Sequence, residues 1–242
     1  DQDGKTGAEE EGMKVSVSPH VKTPRTTRHI MLDVLIALLP ATVAGIVYFG
    51  WEAAVICILG VASAVLTEFI WFILAKKIWK NGKEVLRDFA AQFDFTSCIT
   101  GLLLALTLPS SVSGWYMPVL GSVFAVGVVK MLFGGTGKNI VNPAIAGRVF
   151  LFISFSAMTL YPAAHFGPIA SDLSPVTGPT QLGQLMQGAE TLSPVDLFLG
   201  TGVAGCIGET CKLALLVGYL YLVFRGVIKW YLPLLYIATE GL

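Results

Sequence analysis

The sequence predicts an all-α polytopic membrane protein of about six to seven helical segments, some of them broken or half-helices. Three observations predict it. Apolar residues make up 54% of the 242 residues and charged ones only 13%, whereas soluble domains carry about 25% charged residues. Mean hydropathy is accordingly high, at +0.71. Glycine is abundant, at 26 residues, as suits membrane helices that pack closely or break. Lysine and arginine fall in short groups between apolar windows, the pattern that orients membrane helices. Acidic and basic residues balance at 16 each, which gives no reason to expect nucleic-acid binding. Cys57, Cys98, Cys206 and Cys211 form no CxxC pair, so neither a zinc nor a haem motif finds support. They read as packing residues, with a metal site shared with another protein of a complex as the alternative.

Residues 1–29 read as a disordered cytoplasmic segment, because the opening DQDGKTGAEEEG is polar, acidic and aperiodic. Met13 has the look of a natural start, and no signal-peptide pattern fits ahead of the first apolar run. Membrane helices are expected over 30–160. The apolar windows place spans at about 30–49, 53–75, 95–108, 116–133 and 144–160. The third is short and ends at Pro109, so it reads as a half-helix with Thr96 and Ser97 as cap residues. Transporter-like folds use such segments in pairs, one per inverted repeat, and no second copy is found in this chain. A basic linker containing Lys76, Lys77, Lys80, Lys83 and Arg87 joins the second and third spans. Residues 161–196 form a loop without Lys or Arg, and 197–242 resume membrane helices that read as incomplete. The run 197–224 is long for one span, and its GCIGETCK interior suggests a break.

The basic groups agree on one orientation. Lys22, Arg25 and Arg28 precede the first span, the 76–87 run follows the second, Lys130 stands near the end of the fourth with Lys138 after it, and Arg225 and Lys229 close the long segment. If each span crosses, all four groups fall on one side. The N-terminus is then cytoplasmic and the 161–196 loop external.

Several residues invite chemistry. The stretch GGTGKNIVNP at 134–143 is not a phosphate loop, because Asn139 follows Lys138 and Leu132 stands where the first glycine is required. Its plain reading is a Gly-rich turn leading into a helix. Its functional reading offers the Asn139 and Asn142 amides to a planar polar ligand such as an isoalloxazine ring, with helix-start N–H groups beside them. Ionisable residues inside spans are functional candidates by default. Asp33, Glu68 and Glu209 are the ion-pathway candidates, although a Glu209–Lys212 pair is an adequate structural account. Lys130 and Arg148 lie near the membrane boundary, where snorkelling is the simple account. The hydroxyl-rich SDLSPVTGPTQL at 171–182 reads on composition as a plain turn set by Gly178 and Pro179.

Five stretches together carry a resemblance: SPH at 18–20, RHIMLDVLIALLPA at 28–41, KMLFGGTGKNIVNPAIAGRVFL at 130–151, TGPTQL at 177–182 and GETCKLALLVGYLYL at 208–222. They resemble the RnfD family of the Rnf electron-transport complex and, less closely, its paralogue NqrB of the sodium-pumping NADH:quinone reductase. The resemblance implies FMN joined through its phosphate to the hydroxyl of Thr180, placed by an external flavin transferase, with Thr177 and Gly178 completing the motif. Pro179 stands where that motif has Ala, and Ser174 where it has Asp. It also implies a non-covalent riboflavin, placed near Asn139 and Asn142, and a fold of two inverted repeats of which this chain lacks the later part.

The resulting expectation is a subunit of an ion-translocating (Na+ or H+) ferredoxin:NAD+ oxidoreductase in the bacterial inner membrane. It would relay electrons beside the complex's other membrane and iron–sulfur subunits and would not be catalytic alone. The nicotinamide site would belong elsewhere, since the chain has no dinucleotide fingerprint. The rival readings are the NqrB protein of the quinone reductase, a redox-inactive small-solute channel or transporter, and a purely structural membrane protein.

Overall fold

A computed structural model of the chain describes residues 26–76, 82–110, 115–159, 161, 183, 186 and 193–240. Two long helices begin it, α1 (Thr27–Phe49) and α2 (Trp51–Lys76), followed by α3 (Gly82–Gln92) and α4 (Thr96–Leu106). Next, α5 (Tyr116–Val123) runs directly into a π-helical segment, Phe124–Met131. The remaining elements are α6 (Pro143–Ser154), a 3-10 turn at Ser156–Thr159, α7 (Pro194–Leu199), α8 (Lys212–Phe224) and α9 (Tyr231–Glu240). The regular elements among the described residues are thus all helical, as the composition predicts.

Among the described residues, only α1 and α2 are single helices long and apolar enough to cross a bilayer. Their outer faces show why they suit lipid. Ile36, Leu39, Val43 and Val47 are exposed on α1, at helical spacing. The opposite stripe of α1 is small or polar, with Asp33, Ala37, Ala41, Gly45 and Tyr48 buried. This inversion of soluble-protein patterning lets the helices approach closely, because lipid solvates the large side chains. A close approach of this kind joins α2 to α4. A Cβ at Gly101 would stand 2.5 Å from the Gly60 carbonyl oxygen and 2.8 Å from Ala64 Cβ, so the contact requires glycine. The buried Ser122 hydroxyl then donates to the same Gly60 carbonyl at 2.9 Å.

The short third span is a half-helix, as expected, with its caps arranged differently. A 71° bend separates α3 from α4, and Phe95 in the break takes φ 65°, the left-handed region. Thr96 and Ser97 do not cap α4: the Asp94 carboxylate accepts from the Thr96 N–H at 3.0 Å, leaving both hydroxyls for other partners. The linker before it also differs from expectation, since part of it folds as α3. Val85 is buried while Glu84 and Arg87 face solvent, and the Phe89 ring meets Phe69 and Phe72 of α2 edge-on. Period-3.6 amphipathicity was present there beneath the lysines.

At the far end of α4, the Leu106 and Leu108 carbonyls accept N–H bonds from Gly208 (2.8 Å) and Ile207 (3.1 Å). The GCIGET stretch is thus a turn, and the 197–224 run is broken between α7 and α8. Charged groups gather at the opposite end. The Arg28 guanidinium lies 5.2 Å above the Phe95 ring, the Thr136 hydroxyl bonds Asp94, and Arg225 reaches Asp33.

Candidate functional site

Lys130 organises the interior at that charged end. It sits on the π-helical segment, which buries Ala125, Val126, Val129 and Lys130 along one face. Snorkelling does not describe it, for the residue is only 1% exposed. All three ammonium protons are taken. They go to Glu68 Oε1 at 3.1 Å, to Ser97 Oγ at 2.8 Å, and to Thr96 Oγ1. A buried ammonium demands this, since desolvation is offset only by a counter-charge with every donor satisfied.

The network continues outward. Thr96 Oγ1 accepts from Lys130 and donates to Asp94 Oδ1. Thr136 Oγ1 donates to Asp94 Oδ2 at 2.9 Å, which pins the Gly-rich turn onto the start of α4. Gly134, Gly135 and Gly137 all have φ between 85° and 102°, so this turn needs its glycines. Asp94 lies in the break, outside the membrane-crossing helices. Burial pushes its carboxyl up, but hydrogen bonds from the Thr96 side chain and backbone and from Thr136, with the Lys130 charge beside it, outweigh that and hold it below its ordinary value.

Two clefts flank this polar wall. One, of about 460 Å³, is lined by Thr96, Lys130, Thr136, Asn139, Asn142 and apolar side chains that include Met31 and Leu103. The other, of about 360 Å³, is aromatic, with Trp71, Phe72, Phe89 and Phe93 around Glu68 and Asp94. Both volumes lie in the range of small-molecule sites, roughly 300–1,000 Å³.

Asn139 and Asn142 do share a cleft, in unlike roles. Asn142 is the N-cap of α6, its Oδ1 accepting from the Ala144 N–H at 3.0 Å, so its amide N–H2 is the part left to offer. Asn139 Oδ1 is buried without any hydrogen-bond partner. Leaving an amide oxygen so costs about 1–3 kcal/mol, a cost removed by any N–H donor that reaches it. A planar heterocycle bearing imide and carbonyl groups fits this donor set.

The three carboxylate candidates hold separate partners. Asp33 Oδ1 accepts from Arg225 Nε (3.0 Å), Arg225 Nη2 (2.9 Å) and the Tyr221 hydroxyl (3.2 Å), tying α1 to α8. Glu68 pairs with Lys130 through Oε1, while its Oε2 is buried without a partner. Glu209 closes its own turn by accepting from the Cys206 N–H at 2.8 Å, so the expected Glu209–Lys212 pair is not what holds it. Arg148 likewise turns inward, with its guanidinium 3.4 Å from Cys206 Sγ. Thr177, Gly178 and Thr180 lie outside the described residues.

Sequence reasoning passed over Asp94 and Thr136 and read Arg225 only as one of the orienting basic residues. Asp94 and Thr136 sit at helix breaks, where polar residues read as capping or turn chemistry. Only their meeting across 42 residues makes them part of a site.

The NQR2, RnfD, RnfE family profile matches residues 14–242. The chain is 39% identical to the D component of the Na+-translocating ferredoxin:NAD+ oxidoreductase complex of Acetobacterium woodii, over 94% of this chain and 67% of that protein. It is 36% identical to the proton-translocating counterpart of Clostridium ljungdahlii over the same shares. Its identity to the D component of the ion-translocating oxidoreductase complex of Stutzerimonas stutzeri is 34%, over 88% and 64%. The chain thus spans about two thirds of the length of these relatives. An all-α membrane bundle, the GGTGKNIVNP turn at its polar end and a match over nearly the whole chain lead to one assignment: the chain belongs to the NQR2, RnfD, RnfE family.

Proposed function

We propose that the chain is a membrane subunit of an ion-translocating ferredoxin:NAD+ oxidoreductase complex in a bacterial inner membrane. In this reading it relays electrons through FMN joined to Thr180 and through a riboflavin seated between Asn139 and Asn142. The names of the relatives support the complex. The observation that carries the internal flavin is the buried, unpartnered Asn139 Oδ1 in a cleft of about 460 Å³. Bound flavin supplies one- and two-electron transfer. The protein supplies position and electrostatics. Asn139 Oδ1 would accept from a ring N–H, the Asn142 amide N–H2 would donate to a ring carbonyl, and Met31 and Leu103 would exclude water.

Gathering of the charged groups at one end supports a cytoplasmic face there, with residues 161–196 facing outward, where an external flavin transferase could reach Thr180. The other membrane and iron–sulfur subunits of the complex would be its electron donors and acceptors.

Two measurements test this reading. The protein, co-expressed with a flavin transferase, is run on a denaturing gel under ultraviolet light. A fluorescent band is expected that vanishes in Thr180→Val; a dark band despite an active transferase sinks the covalent FMN. Flavin released by mild denaturation is then quantified. About one riboflavin per chain is expected in the parent protein and little in Asn139→Ala, where the ring loses its buried acceptor. No released flavin from either protein removes the internal site and favours a redox-inactive channel or transporter.

A further inference from the structure

The placement of one buried cation goes beyond that reading while resting on it. Lys130 lines the cleft that holds Asn139 and Asn142, and its counter-charge Glu68 lines the neighbouring aromatic cleft. The ion pair therefore contributes its cation to the lining of one cleft and its anion to the lining of the other. Lys130 is 1% exposed, its ammonium is fixed by three acceptors, and bulk water and salt screen it far less than a surface charge. Structural needs alone do not explain it. Buried ion pairs are often no more stabilising than apolar residues of equal volume, and Glu68 retains an unsatisfied oxygen. Asp94 is the other anion of the network, separated from Lys130 by the Thr96 hydroxyl, and Thr136 joins it from the Gly-rich turn.

We infer that Lys130 is a positioning residue for charge in the cleft: its ammonium favours the reduced, anionic form of the ring held by Asn139 and Asn142, and Glu68 limits how strongly. With a flavin held there, one electron from a one-electron donor of the complex, an iron–sulfur or flavin centre, would add one negative charge beside Lys130. The donor would be oxidised by one electron, with no bond formed or broken and no proton moved. The field of Lys130 stabilises that new charge, while Glu68 and Asp94 attenuate the field.

The test is a potentiometric titration of the non-covalent flavin in the purified protein, followed by its absorption spectrum. Loss of the cation in Lys130→Met should disfavour the reduced ring, lowering the reduced-to-oxidised ratio at fixed potential by on the order of tenfold, about 59 mV for one electron. Loss of the counter-anion in Glu68→Gln should move the ratio the opposite way. A merely structural pair would not yield shifts of opposite sign. Lys130→Met strands a buried carboxylate and can fail to fold, so the double variant Lys130→Met/Glu68→Gln is compared with Glu68→Gln alone. The double variant should sit well below the single one. Riboflavin present but with an unmoved potential in these variants overturns the inference and leaves the flavin site standing. So does loss of the flavin from the Lys130 variants alone, since that would make Lys130 an anchor for the oxidised ring. Absence of flavin from the parent protein instead fails the preceding reading.

Discussion

Asp94 shows at residue scale how one side chain can hold two segments together. Its carboxylate accepts from the Thr96 N–H, the Thr96 hydroxyl and the Thr136 hydroxyl, joining the start of α4 to the Gly-rich turn. The carboxylate form accepts all three, and these bonds hold its pKa below the usual value near 3.9 despite burial. The sign follows from linkage. A carboxylate with a depressed folded-state pKa contributes stability that is present in full above the unfolded pKa and is lost as pH falls through the folded one. Thermal unfolding of the detergent-solubilised protein should therefore show an acid-side loss that is smaller in Asp94→Asn. An identical acid profile for parent and variant would refute the assignment.

At the scale of elements, the contact between α2 and α4 decides where the half-helix stands. A side chain at Gly101 must displace the Gly60 backbone, since a carbonyl oxygen 2.5 Å from the added Cβ has no rotamer to escape into. Gly101→Leu should lower stability by about 1–3 kcal/mol or more, read as a fall in melting temperature. Because Thr96 and Ser97 ride on α4 and hold Lys130, the same change should also reduce bound non-covalent flavin. Leu103→Ala, which trims a cleft-lining side chain on the same helix, is the comparison. If Gly101→Leu retained both stability and flavin, the packing contact would not position the site.

The whole molecule has two unlike ends. Arg28, α3, the Gly-rich turn and Arg225 lie at one, while Tyr48, hydrogen-bonded to the Leu199 carbonyl, and the Leu106–Leu108 carbonyls lie at the other. Single-cysteine variants in a background without the four native cysteines should report this in intact cells. A cysteine at Lys138 should be shielded from an impermeant maleimide, and one at Ser174 should be labelled without permeabilisation. Labelling of both from the same side would overturn the orientation drawn from the basic groups.

Much of the fold was legible in the chain itself, because bilayer thickness converts directly into apolar run length. The α1 and α2 boundaries fall within a few residues of their apolar windows, and Pro109 and the GCIGET stretch marked real breaks. The lysine-rich linker concealed α3, since charge at a membrane boundary masks an amphipathic period. Asn139 and Asn142 were legible as the amides of the Gly-rich turn, but not the division of labour between them. What the sequence determined by itself was helix, span, the charge pattern from which sidedness is inferred, and the polar turn. Tertiary structure alone decided the fate of Lys130: near a span end, an isolated lysine snorkels by default. It turns inward here because α2 supplies a carboxylate and α4 two hydroxyls at the same point in space. That coincidence joins residues 68, 96, 97 and 130, and no local pattern in the chain encodes it.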